Sequence, residues 1–249
     1  MYQFFVEPSQ IQGNRVVITG SDVNHIKNVL RMKPGEKIRV CTRSGQNYFC
    51  SISDITESFV RADILEKEAE STELPCRVYL FQGLPKNDKM EWIIQKTVEL
   101  GVYKVIPVTM KNCVVKLDDK KAKSKVTRWQ AIAESAAKQS KRSLIPEVKM
   151  PMSYKEAVAY AKELDVKLVP YENEHGMAGT KAAMEQIKKG ESIAVFIGPE
   201  GGFAPEEIAL VQDEMQLISL GKRILRTETA GIAALAILGY QLESSDMIE

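Results

Sequence analysis

Five short apolar runs dominate the second part of the chain: RVYLFQGL (77–84), KVIPVTM (104–110), VKLVPY (166–171), SIAVFIG (192–198) and QLISLG (216–221). Between and after them lie helix-like patterns near 88–100, 123–141, 154–164, 180–189, 205–214 and 228–242. A strand apolar on successive positions must be covered on both faces, and strands alternating with helices are the mark of a parallel sheet wrapped by helices. In such sheets ligands bind outside the carboxyl ends of the strands. That rule selects three turns, PYENEHG, IGPEGGFAPEE and LGKRILRTET.

The first ~70 residues have a different rhythm, with short strands and tight turns. RVVIT reads as a strand, and SDVNHIKNVLR as a short helix capped by Ser21. KPGEKIRVCTRSGQNYFCSISDI reads as two strands around Ser44-Gly45, and FVRADIL as another. A compact β-barrel is expected there. The expected division is residues 1–70, a charged linker at 71–75 and an α/β domain over 76–249, a fair fit for a 249-residue chain.

Composition removes several classes. Met1 to Pro8 lacks a basic leader and an apolar run of signal length, and Ala230–Tyr240 is too short to span a bilayer. A cytoplasmic protein that does not enter the membrane is expected. Cys41, Cys50, Cys76 and Cys113 form no CxxC pair, and His25 and His175 are the only histidines, so no metal centre is expected. Charge is uneven: residues 111–142 carry ten Lys/Arg against three Asp/Glu, while 143–249 carry ten against seventeen. A basic segment of this kind suits a polyanion, although a solvated lysine-rich helix has the same composition.

The turn FIGPEGGFAPEEI (196–208) places Pro205 at a first helical position, with Glu206 and Glu207 at the positive end of the helix. Gly198, Gly201 and Gly202 let bare backbone approach a ligand. The turn lacks the GK[ST] ending of a phosphate loop and the GxGxxG of a dinucleotide site, which disfavours an oxidoreductase. In LGKRILRTETAGIAALAIL (220–238), Thr227 or Thr229 can cap a helix that is apolar on every side and is therefore expected to be buried on every side. Arg226 at its entrance needs a partner or serves a ligand.

Together, IGPEGGF and LGKRILRTETA resemble the signature of the ribosomal small-subunit methyltransferase E family, within the trefoil-knotted SPOUT superfamily. FFVEP, HIKNVLRMKPGE, LPKNDKMEWIIQKTVELGV and RWQAIAESAAKQSKR extend the resemblance in order along the chain. The resemblance implies a PUA-like N-terminal barrel followed by a knotted α/β methyltransferase domain acting as a homodimer. It implies methyl transfer from S-adenosylmethionine to N3 of a uridine in 16S ribosomal RNA, free or in the 30S particle. Alternatives are a related methyltransferase acting on tRNA or on a ribose 2′-oxygen, and a non-catalytic RNA-binding protein. One departure stands out: Asn112-Cys113 occupies the place of an Arg-Ser pair in many relatives, so no role is carried over for that pair.

By the same resemblance the cofactor site comprises Val169, Pro170 and Tyr171; Ile197, Gly198, Pro199, Glu200, Gly201 and Gly202; and Leu220, Gly221, Ile224, Leu225, Arg226 and Thr229. Arg226 is the leading catalytic candidate, with Glu172, Glu200 and Glu228 as alternative bases. Candidate RNA contacts are Arg31 and Lys33 in the first domain and Lys86, Lys89, Lys96, Arg128, Lys138, Lys141 and Arg142 beyond it. Tyr171 and Phe203 are candidates for stacking on an unstacked base.

Overall fold

A computed structural model describes residues 1–68, 71–174 and 176–244. Residues 69–70 at the edge of the charged linker, and His175 in the PYENEHG turn, lie outside the described residues. The chain forms two compact units, Met1–Glu73 with Ala137–Ile145, and Leu74–Ala136 with Pro146–Glu249. Residues 137–145, which a linear division at 71–75 leaves in the second part, thus cluster with the first.

The first unit contains β1 (Tyr2–Val6), β2 (Ile11–Gln12), β3 (Arg15–Thr19), the short helix α1 (Ser21–Asn24), β4 (Lys37–Thr42), β5 (Asn47–Ile55) and β6 (Phe59–Glu68). The strands pair in the order β1-β4-β5-β6-β3-β2. Alternation drives this: Val16 and Ile18, Ile38 and Val40, Cys50 and Ile52, and Val60 and Ala62 all point into one core with Phe4 and Ile26. Ser21 is not the cap. Gly20 precedes the helix at φ 77°, and the turn continues as a π-helical His25–Val29. The segment 137–145 is tied in by Arg142, 3% exposed, whose guanidinium pairs with Glu73, while Glu73 also accepts the Ser143 N–H at 2.7 Å.

The second unit is built on β7 (Arg77–Gly83), α2 (Lys89–Glu99), β8 (Lys104–Thr109), all but the last three residues of α3 (Asp119–Gln139), β9 (Glu147–Val148), β10 (Met152–Ser153), α4 (Tyr154–Ala161), β11 (Val166–Pro170), α5 (Ala178–Glu185), β12 (Ser192–Ile197), α6 (Pro205–Ala209), β13 (Gln216–Ile218) and α7 (Thr227–Ser244). The strands run in the order β10-β8-β7-β12-β11-β13, with β9 also on β8, and every pairing is parallel. The central strands explain why their sequences are apolar throughout: every residue of β12 is buried, and Phe81 and Phe196, opposite each other in register, stack at 4.3 Å. Local chemistry starts the flanking helices. Ser153 and Glu156 form a reciprocal capping box at α4, and Pro205 opens α6.

Within a single chain, helix α7 is buried along only part of its circumference. Gly231, Ala234, Leu235, Leu238 and Leu242 are buried, but Ala236 is exposed and Tyr240 is 76% exposed. Thr227 is not a cap either. Its hydroxyl, in a residue 5% exposed, donates to Gly198 O at 2.6 Å and accepts from Gln82 Nε2 at 2.8 Å. The start of α7 is thereby fixed between the ends of β7 and β12, although β13, the strand before it, lies at the far edge beyond β11.

Candidate active site

Strands β12, β11 and β13 are neighbours, so the three turns leaving their carboxyl ends converge. They line a cavity of about 600 Å³. Pro170, Tyr171 and Glu172 come from the first turn, Ile197, Gly198, Pro199, Glu200, Gly202 and Phe203 from the second, and Ser219 through Thr227 from the third, with Lys89 and Ala230. Two glycines here are conformationally required, Gly202 at φ 66° and Gly221 at φ 107°. A third is required by proximity: a Cβ on Gly83, at the end of β7, would lie 2.7 Å from Pro199 N.

Not every expected cofactor residue faces the cavity. Val169 is fully buried in β11 and lies outside the lining. Gly201 faces away, against Asn112, and Thr229 is exposed on the first turn of α7, outside the lining. Leu220, Gly221, Ile224, Leu225 and Arg226 all reach the cavity wall. Arg226 is exposed to it and forms no ion pair with a described residue, leaving its planar fork of donors open to a ligand.

The carboxylates are not equivalent. Lys89 Nζ lies 3.1 Å from Glu200 Oε1 and 3.3 Å from Glu228 Oε2, bridging two of the three candidate bases. The hydrogen bond to Glu200, with Glu228 adding to it, raises the Lys89 pKa above the ordinary lysine value. Burial pushes Glu200 up, but the backbone N–H of Lys86 at 3.0 Å and the Lys89 ammonium outweigh it and hold its carboxyl below the usual range. Glu172 instead stands exposed on the cavity rim, with Oε1 3.7 Å from where a Cβ on Gly202 would sit. Among the described residues no cation pairs with it.

An RNA methyltransferase domain model matches residues 72–239, and an RNA methyltransferase PUA domain model matches residues 18–65. The chain is 39% identical to ribosomal RNA small subunit methyltransferase E of Bacillus subtilis (strain 168), over 98% of both proteins. It belongs to that family. It is also 37% identical to the enzyme of the same name in Mesomycoplasma hyopneumoniae (strain 232), over 93% of this chain and 96% of the relative. Among solved structures it is similar to a ribosomal RNA small subunit methyltransferase E from Neisseria gonorrhoeae bound to S-adenosyl methionine. The TM-score is 0.84 and the identity 31%, over 96% of this chain and 97% of the other. A methyltransferase from Legionella pneumophila with bound SAM gives a TM-score of 0.83 at 30% identity, over 96% and 97%.

Within this family member the expected RNA-contacting cations separate into groups. Arg31 and Lys33 are exposed in the first unit, and Lys86 is exposed in the second. Lys89 instead belongs to the cavity. Lys96 pairs with Glu99 at 2.8 Å over the ring of Trp92, and Arg128 pairs with Glu91 at 2.8 Å. Lys138 pairs with Asp22 at 3.0 Å, and Lys141 donates to Met1 O at 2.7 Å. Arg142, buried on Glu73, corrects the expectation of a phosphate contact, because its charge is already compensated inside the first unit. Phe203 lines the cavity with one edge against Tyr154 at 6.3 Å, and Tyr171 accepts from Asn173. Sequence reasoning missed Gln82, Gly83 and Asn112 as supports of the site. Gln82, the one polar residue of an otherwise apolar strand end, was the available signal.

Proposed function

We propose that the chain transfers a methyl group from S-adenosylmethionine to N3 of a uridine in 16S ribosomal RNA of the small subunit. The observation that carries this reading is the cavity itself, where three ligand-type turns at the ends of adjacent parallel strands surround an arginine that pairs with no carboxylate among the described residues. The fit to the cofactor is physical: Gly198, Gly202 and Gly221 let a ligand approach the cavity wall without side chains in the way, and Ile197, Leu220, Ile224 and Leu225 supply apolar walls. These residues would hold the cofactor, which when bound supplies an electrophilic methyl group. The acceptor nitrogen carries a proton at neutral pH. Arg226 donates to a uridine oxygen as negative charge develops there, and Glu172 takes the N3 proton. Glu200 and Glu228 both engage the Lys89 ammonium, whereas the Glu172 carboxylate pairs with no described cation and is open to the substrate.

We read the return of α7 from the edge strand to a seat between Gly198 and Gln82 as the threading of a trefoil knot. Register shifts in the β5–β6 pair, at Phe49/Cys50 and Ile52/Asp54, coil those strands and support a PUA-like barrel. The open apolar face of α7 at Ala236 and Tyr240 supports a homodimer in which a second copy covers it. Exposed Arg31, Lys33 and Lys86 supply phosphate contacts, and a ribosomal substrate places the protein in the cytoplasm. No metal enters the chemistry proposed; no helix among the described residues is long and apolar enough to cross a membrane.

Small-subunit particles and naked ribosomal RNA from cells lacking this protein, incubated with it and methyl-labelled S-adenosylmethionine, test the reading by mass mapping. One new methyl on uridine N3 is expected. A methyl on a ribose, on tRNA or on another base atom refutes the substrate assignment, and cofactor binding without any transfer refutes the enzyme reading.

A further inference from the structure

The turn after β8, Met110–Cys113, lies outside the cavity lining, yet it grips the loop that forms the cavity's central wall. Asn112 Nδ2 donates to Gly201 O at 2.9 Å and to Gly202 O at 3.2 Å. The contact is close enough to exclude a side chain at residue 201, where a Cβ would meet Asn112 Cβ at 2.9 Å. The turn is itself anchored. Cys113 N donates to Met110 O at 3.1 Å, and Met110 N donates to the buried Cys113 Sγ at 3.3 Å. Beside it, Lys111 N donates to Glu207 Oε1 at 2.9 Å, and the other oxygen of Glu207 accepts from Ala204 N at 2.8 Å.

We propose that Asn112 is a positioning residue that sets the Gly201–Gly202 peptides against the cavity and thereby sets the affinity for S-adenosylmethionine. The chemistry of the side chain fits this task. A carboxamide carries two N–H donors on one nitrogen and can hold two successive carbonyls at short reach. Aspartate has the same shape but offers only acceptors, and would turn two attractions into two repulsions. With Asn112 on residues 201–202, Thr227 on Gly198 and Lys86 with Lys89 on Glu200, the loop is held along its length before a ligand arrives. Such preorganisation reduces the ordering cost of binding.

The proposal rests on the cofactor reading above, and two measurements separate the two ideas. The first is the dissociation constant of S-adenosylmethionine by calorimetry for wild type, Asn112→Ala and Asn112→Asp. Two ordinary hydrogen bonds are together worth about tenfold in an equilibrium, so Asn112→Ala is expected to bind about tenfold more weakly and Asn112→Asp more weakly still. The KM for the cofactor rises in parallel, while kcat at saturating cofactor stays within about twofold. The second measurement is amide hydrogen exchange at Gly202 in the cofactor-free protein, where its N–H donates to Pro199 O at 2.9 Å. Exchange is expected to accelerate at least about tenfold in both variants, with exchange in β7 and β12 unchanged. Binding constants within twofold of wild type, or Gly202 exchange unaltered, overturn the proposal. Wild-type protein that does not bind S-adenosylmethionine overturns the cofactor reading, and the exchange measurement still decides the role of Asn112.

Discussion

Thr227→Val tests how the site is joined to the core, because it changes almost no volume and removes only a hydroxyl. In the native protein that hydroxyl donates to Gly198 O at 2.6 Å and accepts from Gln82 Nε2 at 2.8 Å. Gln82 is 0% exposed, so water cannot replace the lost partner without opening the junction of β7, β12 and α7. Gln82 Nε2 retains Gly83 O at 3.1 Å, which softens the loss on its side. Gly198 O loses its Thr227 donor. One part-buried acceptor that loses its donor and one buried donor left half-satisfied together cost about 2 kcal/mol, within the usual range for such groups. For a chain of this size that lowers the unfolding midpoint of the second unit by about 4–8 °C. Thr227→Ser keeps both hydrogen bonds and loses one methyl, so it should lower the midpoint by less than half as much. Because Gly198 lines the cavity, Thr227→Val should also weaken S-adenosylmethionine binding, which calorimetry measures. A Thr227→Val protein as stable as wild type, with the same affinity, would show that the junction is held by packing alone and that the hydroxyl is incidental.

Other expectations follow from the same geometry. Arg226→Ala should lower kcat by about 10²–10³ at saturating cofactor and RNA, with Arg226→Lys failing to restore it, in single-turnover methylation assays. Undiminished turnover refutes its catalytic role. The folded pKa of Glu200 lies below 4.5, so its ionised form stabilises the protein above that pH and the contribution is lost as pH falls through the folded value. Lys89→Met removes part of the cause, so its stability deficit in denaturant melts should be larger at neutral pH and narrow below pH 4.5; a deficit constant with pH refutes the electrostatic account. Arg142→Ala should destabilise the first unit by about 2–3 kcal/mol, because Glu73 loses its charge partner but keeps the Ser143 and Leu144 N–H donors. Lys33→Glu should leave stability alone but flatten the log–log salt dependence of RNA binding by at least about 0.7. An unchanged slope removes Lys33 from the RNA surface. Ala236→Arg on the open face of α7 should convert a dimer to a monomer in sedimentation, and an unaffected sedimentation profile places the second copy elsewhere.

Much of the architecture was legible along the chain because its causes are local. Five apolar runs alternating with helical patterns specify strands covered on both faces, and the parallel sheet follows. Pro205 and the Ser153–Glu156 pair place helix starts where they occur, since capping involves residues three apart. The same locality misled at Thr227, where a hydroxyl at a helix entrance reads as a cap. In the folded protein its hydrogen bonds run to residues far away in sequence, 29 and 145 positions distant. Lys89 and Arg142 show the same limit for charge. Composition counts both as basic surface, but only folding brings Glu200 and Glu228 to the first and buries the second on Glu73.

What the amino-acid sequence determined by itself, then, is the set of elements and the three glycine- and proline-marked turns that line the cavity, since each is encoded by periodicity, glycine and proline over a few residues. Tertiary structure alone decided which of those turns meet, because strand order is a matter of long-range pairing. It also decided that, of the three candidate bases, Glu172 is the one that pairs with no cation among the described residues, and that Asn112 and Gln82 hold a loop they do not adjoin in sequence. Hydrogen bonds and ion pairs of this kind act over a few ångströms of space, and only the packed sheet brings such distant residues within that range.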